Sequence, residues 1–177
     1  MDYRIEKINE SNKHYHNKAV EAFEVFGKLE IRYDEHGWHT KEKLLDKPYL
    51  KLYDAFQAEC EDYLSNPDQT IFYALNDHEV LGQIVIRKNW NKYCYIDDIA
   101  VSKKARQKGV ATRLLDQAQK WALENKLGGF MLETQDINLA ACRFYKKNGF
   151  VIGSIDNMLY RHFDTKDEIA MIWYKEF

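Results

Sequence analysis

The stretch Tyr95-Ile96-Asp97-Asp98-Ile99-Ala100-Val101-Ser102-Lys103-Lys104-Ala105-Arg106-Gln107-Lys108-Gly109-Val110-Ala111-Thr112 decides how the rest of the chain is read. An apolar, strand-like run passes through a basic loop with one glycine and enters a segment whose Val110, Ala111, Leu114, Leu115, Ala118 and Ala122 share one helical face. The backbone N–H groups of a helix's first turn have no acceptor inside the helix and sit at the positive end of its dipole. The backbone from Gln107 to Thr112 is therefore a candidate anion cradle, the kind of place that phosphate oxygens occupy. Gly109 allows positive φ or close approach, Ala111 keeps the first turn uncrowded, and Lys103, Lys104, Arg106 and Lys108 add positive potential. Neither GxxxxGK[ST] nor GxGxxG is present, which disfavours an ATP P-loop and a dinucleotide fingerprint and leaves some other phosphate-bearing cofactor.

Upstream, Thr70–Leu75, Val80–Arg87 and Tyr93–Ser102 read as a three-stranded meander with turns at Asn76-Asp77-His78 and Asn89–Asn91. Downstream, the helix from Val110 to Lys126 stops at Leu127-Gly128-Gly129. A short strand, Phe130–Thr134, a helix from Asn138 to Asn148 ended by Gly149, and strands at Phe150–Ile155 and Ile169–Tyr174 follow. Tyr3–Ile8 alternates weakly as a first strand. His14–Phe26, with Ala19, Ala22, Phe23 and Phe26 at helical spacing, and Tyr49–Leu64 predict two amphipathic helices. Between them Glu30–Pro48 shows no clean period and is expected to be a long loop near function. The sum is α+β, a mixed α/β arrangement, and 177 residues without repeat or linker predict one domain, 1–177.

Composition removes several function classes. With 26 Lys+Arg against 28 Asp+Glu there is no basic surplus for nucleic acid or acidic membrane. No apolar run reaches a membrane span, and MDYRIEKINESN contains no signal-peptide core, so the protein is expected to stay in the cytoplasm where it is made. Three widely spaced cysteines, Cys60, Cys94 and Cys142, give neither a disulfide framework nor a zinc knuckle. His36-x-x-His39 beside Trp38 has no third ligand at a sensible spacing, so no metal is expected.

The second informative segment is Leu132-Glu133-Thr134-Gln135-Asp136-Ile137-Asn138, followed by a helix with Ala141 and Tyr145 four apart on one face and ending at Gly149-Phe150. Asn138 suits the helix N-cap. By themselves Phe144 and Tyr145 are equally readable as core aromatics, and Cys142 among alanines as a buried structural thiol.

In this order and at this distance, the two segments resemble the acyl-CoA-binding core of the GNAT family of N-acetyltransferases, with the clear match running from about Ile71 to Phe150. The resemblance implies a mostly antiparallel mixed sheet of six to seven strands, splayed into a V between the fourth and fifth and flanked by about four helices. It implies acetyl-CoA as cofactor, direct acetyl transfer to an amine, and a monomer or homodimer. On this resemblance the backbone of Ile99, Ala100 and Val101 binds the pantetheine arm. Arg106, Gln107, Lys108, Gly109, Val110, Ala111 and Thr112 hold the pyrophosphate, and Asn138 touches the arm.

Transfer from a thioester needs an amine stripped of its proton and a proton for the leaving sulfur. Tyr145, a phenol, is the expected acid by the same resemblance. In a regular strand Asp97 and Asp98 point to opposite faces, so only one is expected to face the cleft. The pattern of family members with two adjacent acids favours Asp97 as base, and Glu133 matches members whose base lies on the next strand. The alternative is that these acids only attract a cationic substrate.

Asp97, Asp98 and the acidic, aromatic Asp34, Glu35 and Trp38 suit a small cationic amine. YIDDIAV, the two expected N-terminal helices and the ending IAMIWY together are similar to the streptothricin acetyltransferases, which acetylate the β-lysine amine of that antibiotic and so confer resistance. A polyamine, a ribosomal-protein N-terminus (LETQDIN) and a noncatalytic acyl-CoA sensor are the alternatives.

Overall fold

A computed structural model describes residues 2–57, 59–77 and 79–177, so His78 of the expected 76–78 turn lies outside the described residues. In chain order the elements are β1 (Arg4–Lys7), β2 (Phe23–Asp34), β3 (Gly37–Lys51), α1 (Cys60–Ser65), β4 (Gln69–Leu75), β5 (Val80–Lys88), β6 (Cys94–Val101), α2 (Val110–Glu124), β7 (Gly129–Gln135), α3 (Leu139–Lys147), β8 (Val151–Asp156) and β9 (Ala170–Glu176). Short 3-10 turns lie at Lys13–Tyr15 and Lys103–Ala105. The class is mixed α+β, as the sequence predicts. The chain divides into two compact units.

The first unit is Met1–Glu21, Tyr53–Phe130 and Glu176–Phe177. Its strands run antiparallel in the order β1-β4-β5-β6. Val80 to Ile86 of β5 are all buried, as a strand covered on both faces must be. Gly82 of β5 meets α2: a Cβ there would stand 2.9 Å from the Ala100 carbonyl oxygen, 3.1 Å from Val110 Cγ1 and 3.2 Å from Leu114 Cδ1, so glycine lets the helix lie close. Val110, Leu114, Leu115, Ala118, Trp121 and Ala122 form the buried stripe of α2. On the opposite face Val85 joins Ile8, Ala19, Tyr63, Ile71, Tyr73, Leu75 and Val80, with Tyr15, Phe56, Cys60 and Leu64 packed on them.

The second unit is Ala22–Leu52 and Met131–Lys175. It holds β7 from Met131 onward, β9 and β8 in the order β7-β9-β8, a separate antiparallel ladder of β2 and β3, and α3. Backbone and side chains tie the β2–β3 ladder to its unit. The Leu29 N–H donates to the Asp136 carbonyl at 2.8 Å, Arg143 makes a two-pronged bond to Glu42 (2.9 and 2.5 Å), and Lys146 reaches Thr40 at 2.6 Å. A Cβ on Gly27 would be 2.6 Å from the Lys43 carbonyl oxygen and 2.8 Å from Leu139 Cδ1.

This ladder corrects the expectation for the N-terminal third. Residues 14–26 are not a helix: Lys13–Tyr15 is a single 3-10 turn, and β2 begins at Phe23. The helical spacing of Ala19, Ala22, Phe23 and Phe26 competes with a two-residue alternation in which Val25, Gly27 and Leu29 are buried. The alternation wins because that face packs on α3, with Gly27 close against Leu139. Glu30–Pro48 is strand rather than loop. Its turn is Glu35-His36, closed by Gly37 at φ 103°, with Asp34 Oδ1 accepting the His36 N–H at 3.0 Å. Of the helix expected over Tyr49–Leu64, Tyr49–Lys51 belong to β3 and among the described residues only Cys60–Ser65 is helical, as α1; Ala58 lies outside the described residues.

Among the described residues no helix is long and apolar enough to cross a membrane, and no three His, Cys, Asp or Glu side chains gather as a metal site would require.

Candidate active site

In the first unit β6 runs through the Lys103–Ala105 turn into α2. Gln107 (φ 61°) and Gly109 (φ 80°) both adopt left-handed backbone on either side of Lys108. For Gln107 that conformation costs about 1–2 kcal/mol, a strain that such loops keep when it orients N–H groups toward one point. The first hydrogen bond into the helix runs from the Arg113 N–H to the Gly109 oxygen (3.1 Å), so the N–H groups of Val110, Ala111 and Thr112 have no acceptor within α2. The first turn carries no acidic residue, and the position of a Cβ on Gly109 has no atom within 4 Å. The segment fits a diphosphate. Arg106 acts on the loop itself, donating through Nε to the Val101 carbonyl at 3.0 Å and through its second terminal nitrogen to that of Glu21 at 3.3 Å. Lys108 Nζ donates to the Lys104 carbonyl at 2.6 Å, and Glu21 accepts the Lys103 N–H at 2.9 Å.

The acidic pair departs from the regular-strand expectation. Asp98 pairs with Val85 and Ile96 with Ile86, so Asp97 is an extra residue, a β-bulge. Alternation breaks there. Asp97 follows Tyr95, which pairs with Arg87, while Asp98 pairs with Val85, so both acids lie on the face of β5 that carries Gln83, Val85 and Arg87. Their partners differ. Arg87 Nε donates to Asp97 Oδ1 at 3.1 Å, and Arg87 also lies 4.5 Å over the Tyr95 ring and bonds Asn89 Oδ1 at 3.0 Å. Asp98 Oδ2 accepts from Gln83 Nε2 at 2.7 Å. Burial pushes both carboxyls above their ordinary range; Arg87 opposes this at Asp97, and Gln83 and His16 oppose it at Asp98. Asp97 Oδ2 and His16 Nδ1 are buried with no hydrogen-bond partner in the protein.

In the second unit Asn138 caps α3, its Oδ1 accepting the Ala141 N–H at 3.2 Å. Tyr145, one helical turn further, is 6% exposed and packs at 5.5 Å from Phe150 and 6.0 Å from Trp173, ring centre to ring centre. The core-aromatic reading of Tyr145 thus holds. Cys142 is buried, and burial pushes its thiol up to about 12, which removes it as a nucleophile. Glu133 accepts a hydrogen bond from the Tyr160 hydroxyl, which itself accepts from Gln135 Nε2 at 3.0 Å. At the tip of the β2–β3 ladder Trp38 stacks on Tyr33 at 4.8 Å, Asp34 is held by Arg32 (2.9 Å) and His39 (2.8 Å), and Glu35 is exposed.

Sequence reasoning missed Gln83, Asn17, His16, Arg87 and Tyr160. One signal was available: a glutamine inside the apolar run VLGQIVIRK must find hydrogen bonds when that strand is buried. Tyr160 lies in the aperiodic 157–169 segment, where local pattern carries no information.

Comparison with known proteins agrees with this geometry. Residues 28–150 match the Acetyltransferase (GNAT) family. The streptothricin acetyltransferase A of Bacillus subtilis (strain 168) is 43% identical over 173 residues, 98% of this chain and 99% of that protein. The streptothricin acetyltransferase of Escherichia coli is 40% identical over 128 residues, 72% of this chain and 70% of that one. A 1.6 Å crystal structure of a protein assigned as a streptothricin acetyltransferase of Bacillus anthracis str. Ames, in complex with acetyl coenzyme A, superposes with a TM-score of 0.89 at 37% identity, covering 100% of this chain and 98% of that one. With its family match over 28–150, its 43% identity to a streptothricin acetyltransferase over nearly the full chain and this full-length superposition, the chain belongs to the GNAT family and is an acetyl-CoA-dependent N-acetyltransferase.

Proposed function

We propose that this enzyme acetylates a primary amine of a small polycation, the β-lysine amine of streptothricin, in the cytoplasm, and that residues 1–177 act as one catalytic domain whose use to the cell is resistance to that antibiotic. The observation that carries this reading is the 43% identity to streptothricin acetyltransferase A over 98% of the chain, which extends beyond the 28–150 family match into the last strands. The acidic β6 pair supports it, since a polycation is drawn to carboxylates.

In this reading the backbone of Ile99, Ala100 and Val101 binds the pantetheine arm, the 107–112 N–H groups hold the pyrophosphate within the loop that Arg106 shapes, and Asn138 contacts the arm. Bound acetyl-CoA supplies an activated acetyl thioester. A carboxylate on β6, or Glu133, takes the amine's proton, and Tyr145 gives one to the departing sulfur. Asp34, Glu35 and Trp38 offer charge and an aromatic face to the cation.

The test is a thiol-release assay with acetyl-CoA across streptothricin, spermidine, an aminoglycoside and an alanine-terminated peptide, reporting kcat/KM for each. The reading expects streptothricin to lead; preference for spermidine or the peptide would overturn the acceptor assignment. Tyr145→Phe is expected to cut turnover while CoA binding persists.

A further inference from the structure

We propose that Asp98, rather than Asp97, receives the acceptor's proton, and that the buried side chains of Gln83 and Asn17 are positioning residues that hold it for that task. This rests on the acetyl-transfer reading above and deepens it. The bulge at Asp97 puts two adjacent carboxylates on one face of β6, yet surrounds them differently. Asp97 is bound to a fixed guanidinium, and Arg87 is itself held by Asn89 and by the Tyr95 ring. A carboxylate neutralised by a permanent cation has little to gain from a proton. Asp98 is bound instead to the neutral amide of Gln83.

Gln83 is fully buried, and both ends of its amide are used. Its Oε1 accepts the Asn17 N–H at 2.7 Å, and its Nε2 donates to Asn17 Oδ1 at 3.0 Å as well as to Asp98. Asn17 takes φ 63°, a left-handed conformation, while making these bonds, and its Nδ2 donates to the Phe56 carbonyl at 3.0 Å. His16 Nε2 stands 3.2 Å from the same carbonyl. Asn17, in a left-handed conformation and anchored on the Phe56 carbonyl, thus holds the buried Gln83 amide from both ends, and that amide donates to one oxygen of Asp98. A glutamine that served only packing would not need this, since an apolar side chain fills a central strand at lower cost. The groups facing Asp98 are His16, Gln83 and Asn17, then Asp97 with Arg87, and Tyr63 of α1 beside Asp97.

The step balances as follows. The ammonium gives one proton to Asp98, its lone pair forms the N–C bond to the acetyl carbon, and the C–S bond breaks with its pair on sulfur. The second nitrogen proton balances the one the thiolate receives.

Wild type, Asp98→Asn, Asp97→Asn, Gln83→Leu and Gln83→Glu separate the possibilities. Asp98→Asn is expected to lower kcat/KM for the amine by about 100-fold or more, with acetyl-CoA affinity by calorimetry unchanged, and Asp97→Asn by less than about 10-fold. The pH profile is measured on whichever amine of the panel wild type acetylates. Carbon-13 titration of the Asp98 carboxyl is measured without acceptor. In Gln83→Leu the acid limb of kcat/KM and the Asp98 titration should both move to higher pH. In the near-isosteric Gln83→Glu, which keeps the volume should leucine fail to fold, they should move further up because two carboxylates then share the site. A larger loss in Asp97→Asn than in Asp98→Asn, or an Asp98 titration indifferent to Gln83, overturns the proposal. Turnover of an amine other than streptothricin, with these shifts intact, overturns only the acceptor assignment; absence of turnover with every amine overturns both.

Discussion

The β6–loop–α2 region and the β2–β3 ladder differ in how their polar contacts are placed. Around β6 they are buried: the Asp97 side chain is 8% exposed against Arg87, and Asp98 is bound to a glutamine with no exposure at all. Along the ladder they are mixed, with Arg143 and Glu42 at the surface at 54% and 35%, Lys51 and Glu168 more buried at 21% and 8%, and a row of exposed apolar residues, Leu44, Tyr49, Leu50 and Leu52, beside them. A buried bond removed leaves a desolvated partner behind, whereas an exposed one is replaced by water. Removing a polar side chain should therefore cost more around β6 than at the Arg143–Glu42 pair, and the ladder also fits its unit by shape, at Gly27.

Five substitutions test that contrast. The largest effect is expected from Arg87→Leu, which leaves the Asp97 carboxylate buried without its cation. Unfolding in urea should show a loss of about 3 kcal/mol at neutral pH, shrinking on acidification as Asp97 takes up a proton. A loss no greater than that of a surface pair would remove the distinction between the regions.

Next come the two close-approach glycines. Gly82→Val in the first unit and Gly27→Val in the second should each cost about 1–3 kcal/mol by overpacking, because in both a backbone carbonyl oxygen lies within 3 Å of the new Cβ. If only Gly82→Val is destabilising, the ladder is more loosely seated than its contacts imply.

Asp98→Asn is expected to act in the other direction. Burial raises the Asp98 carboxyl above the ordinary aspartate range near pH 4, so over that interval the folded chain binds more protons than the unfolded chain and stability falls as pH rises. The asparagine variant, which can still accept from Gln83, should melt higher than wild type at pH 7 by about 2–4 °C and lose that advantage on acidification towards pH 4. A lower melting point at pH 7 would contradict the desolvation argument. The smallest effect is Arg143→Gln, about 0.5 kcal/mol or less and vanishing in high salt, read by the same urea titration.

The contrast also explains what could be read in advance. The meander, the end of α3 at Gly149, the Asn138 cap and the left-handed turn before α2 were legible because each is enforced by its own residues: a left-handed φ, a side chain that replaces a helical acceptor. The expected glycine end of α2 was not, since the helix stops at Glu124 with Lys126, not a glycine, in the left-handed conformation (φ 58°), and Gly129 begins β7. Cys142 was legible as a structural thiol for a similar local reason, its apolar neighbours. Residues 14–51 were not, since Ala19, Ala22, Phe23 and Phe26 satisfy a helical period while Val25, Gly27 and Leu29 satisfy a strand, and nothing local chooses between them.

The amino-acid sequence by itself determined the family and the cofactor, through two motifs in a fixed order, and the turn before α2, whose left-handed backbone at Gly109 its own residue permits. Tertiary structure alone decided the strand form of residues 23–51, the bulge that places Asp97 and Asp98 on one face, and the different partners of those acids. Packing against α3 selects the period of β2, and the register of β5 against β6 selects the partner of each carboxylate. Both are choices among contacts far apart in the chain, which no window of sequence contains.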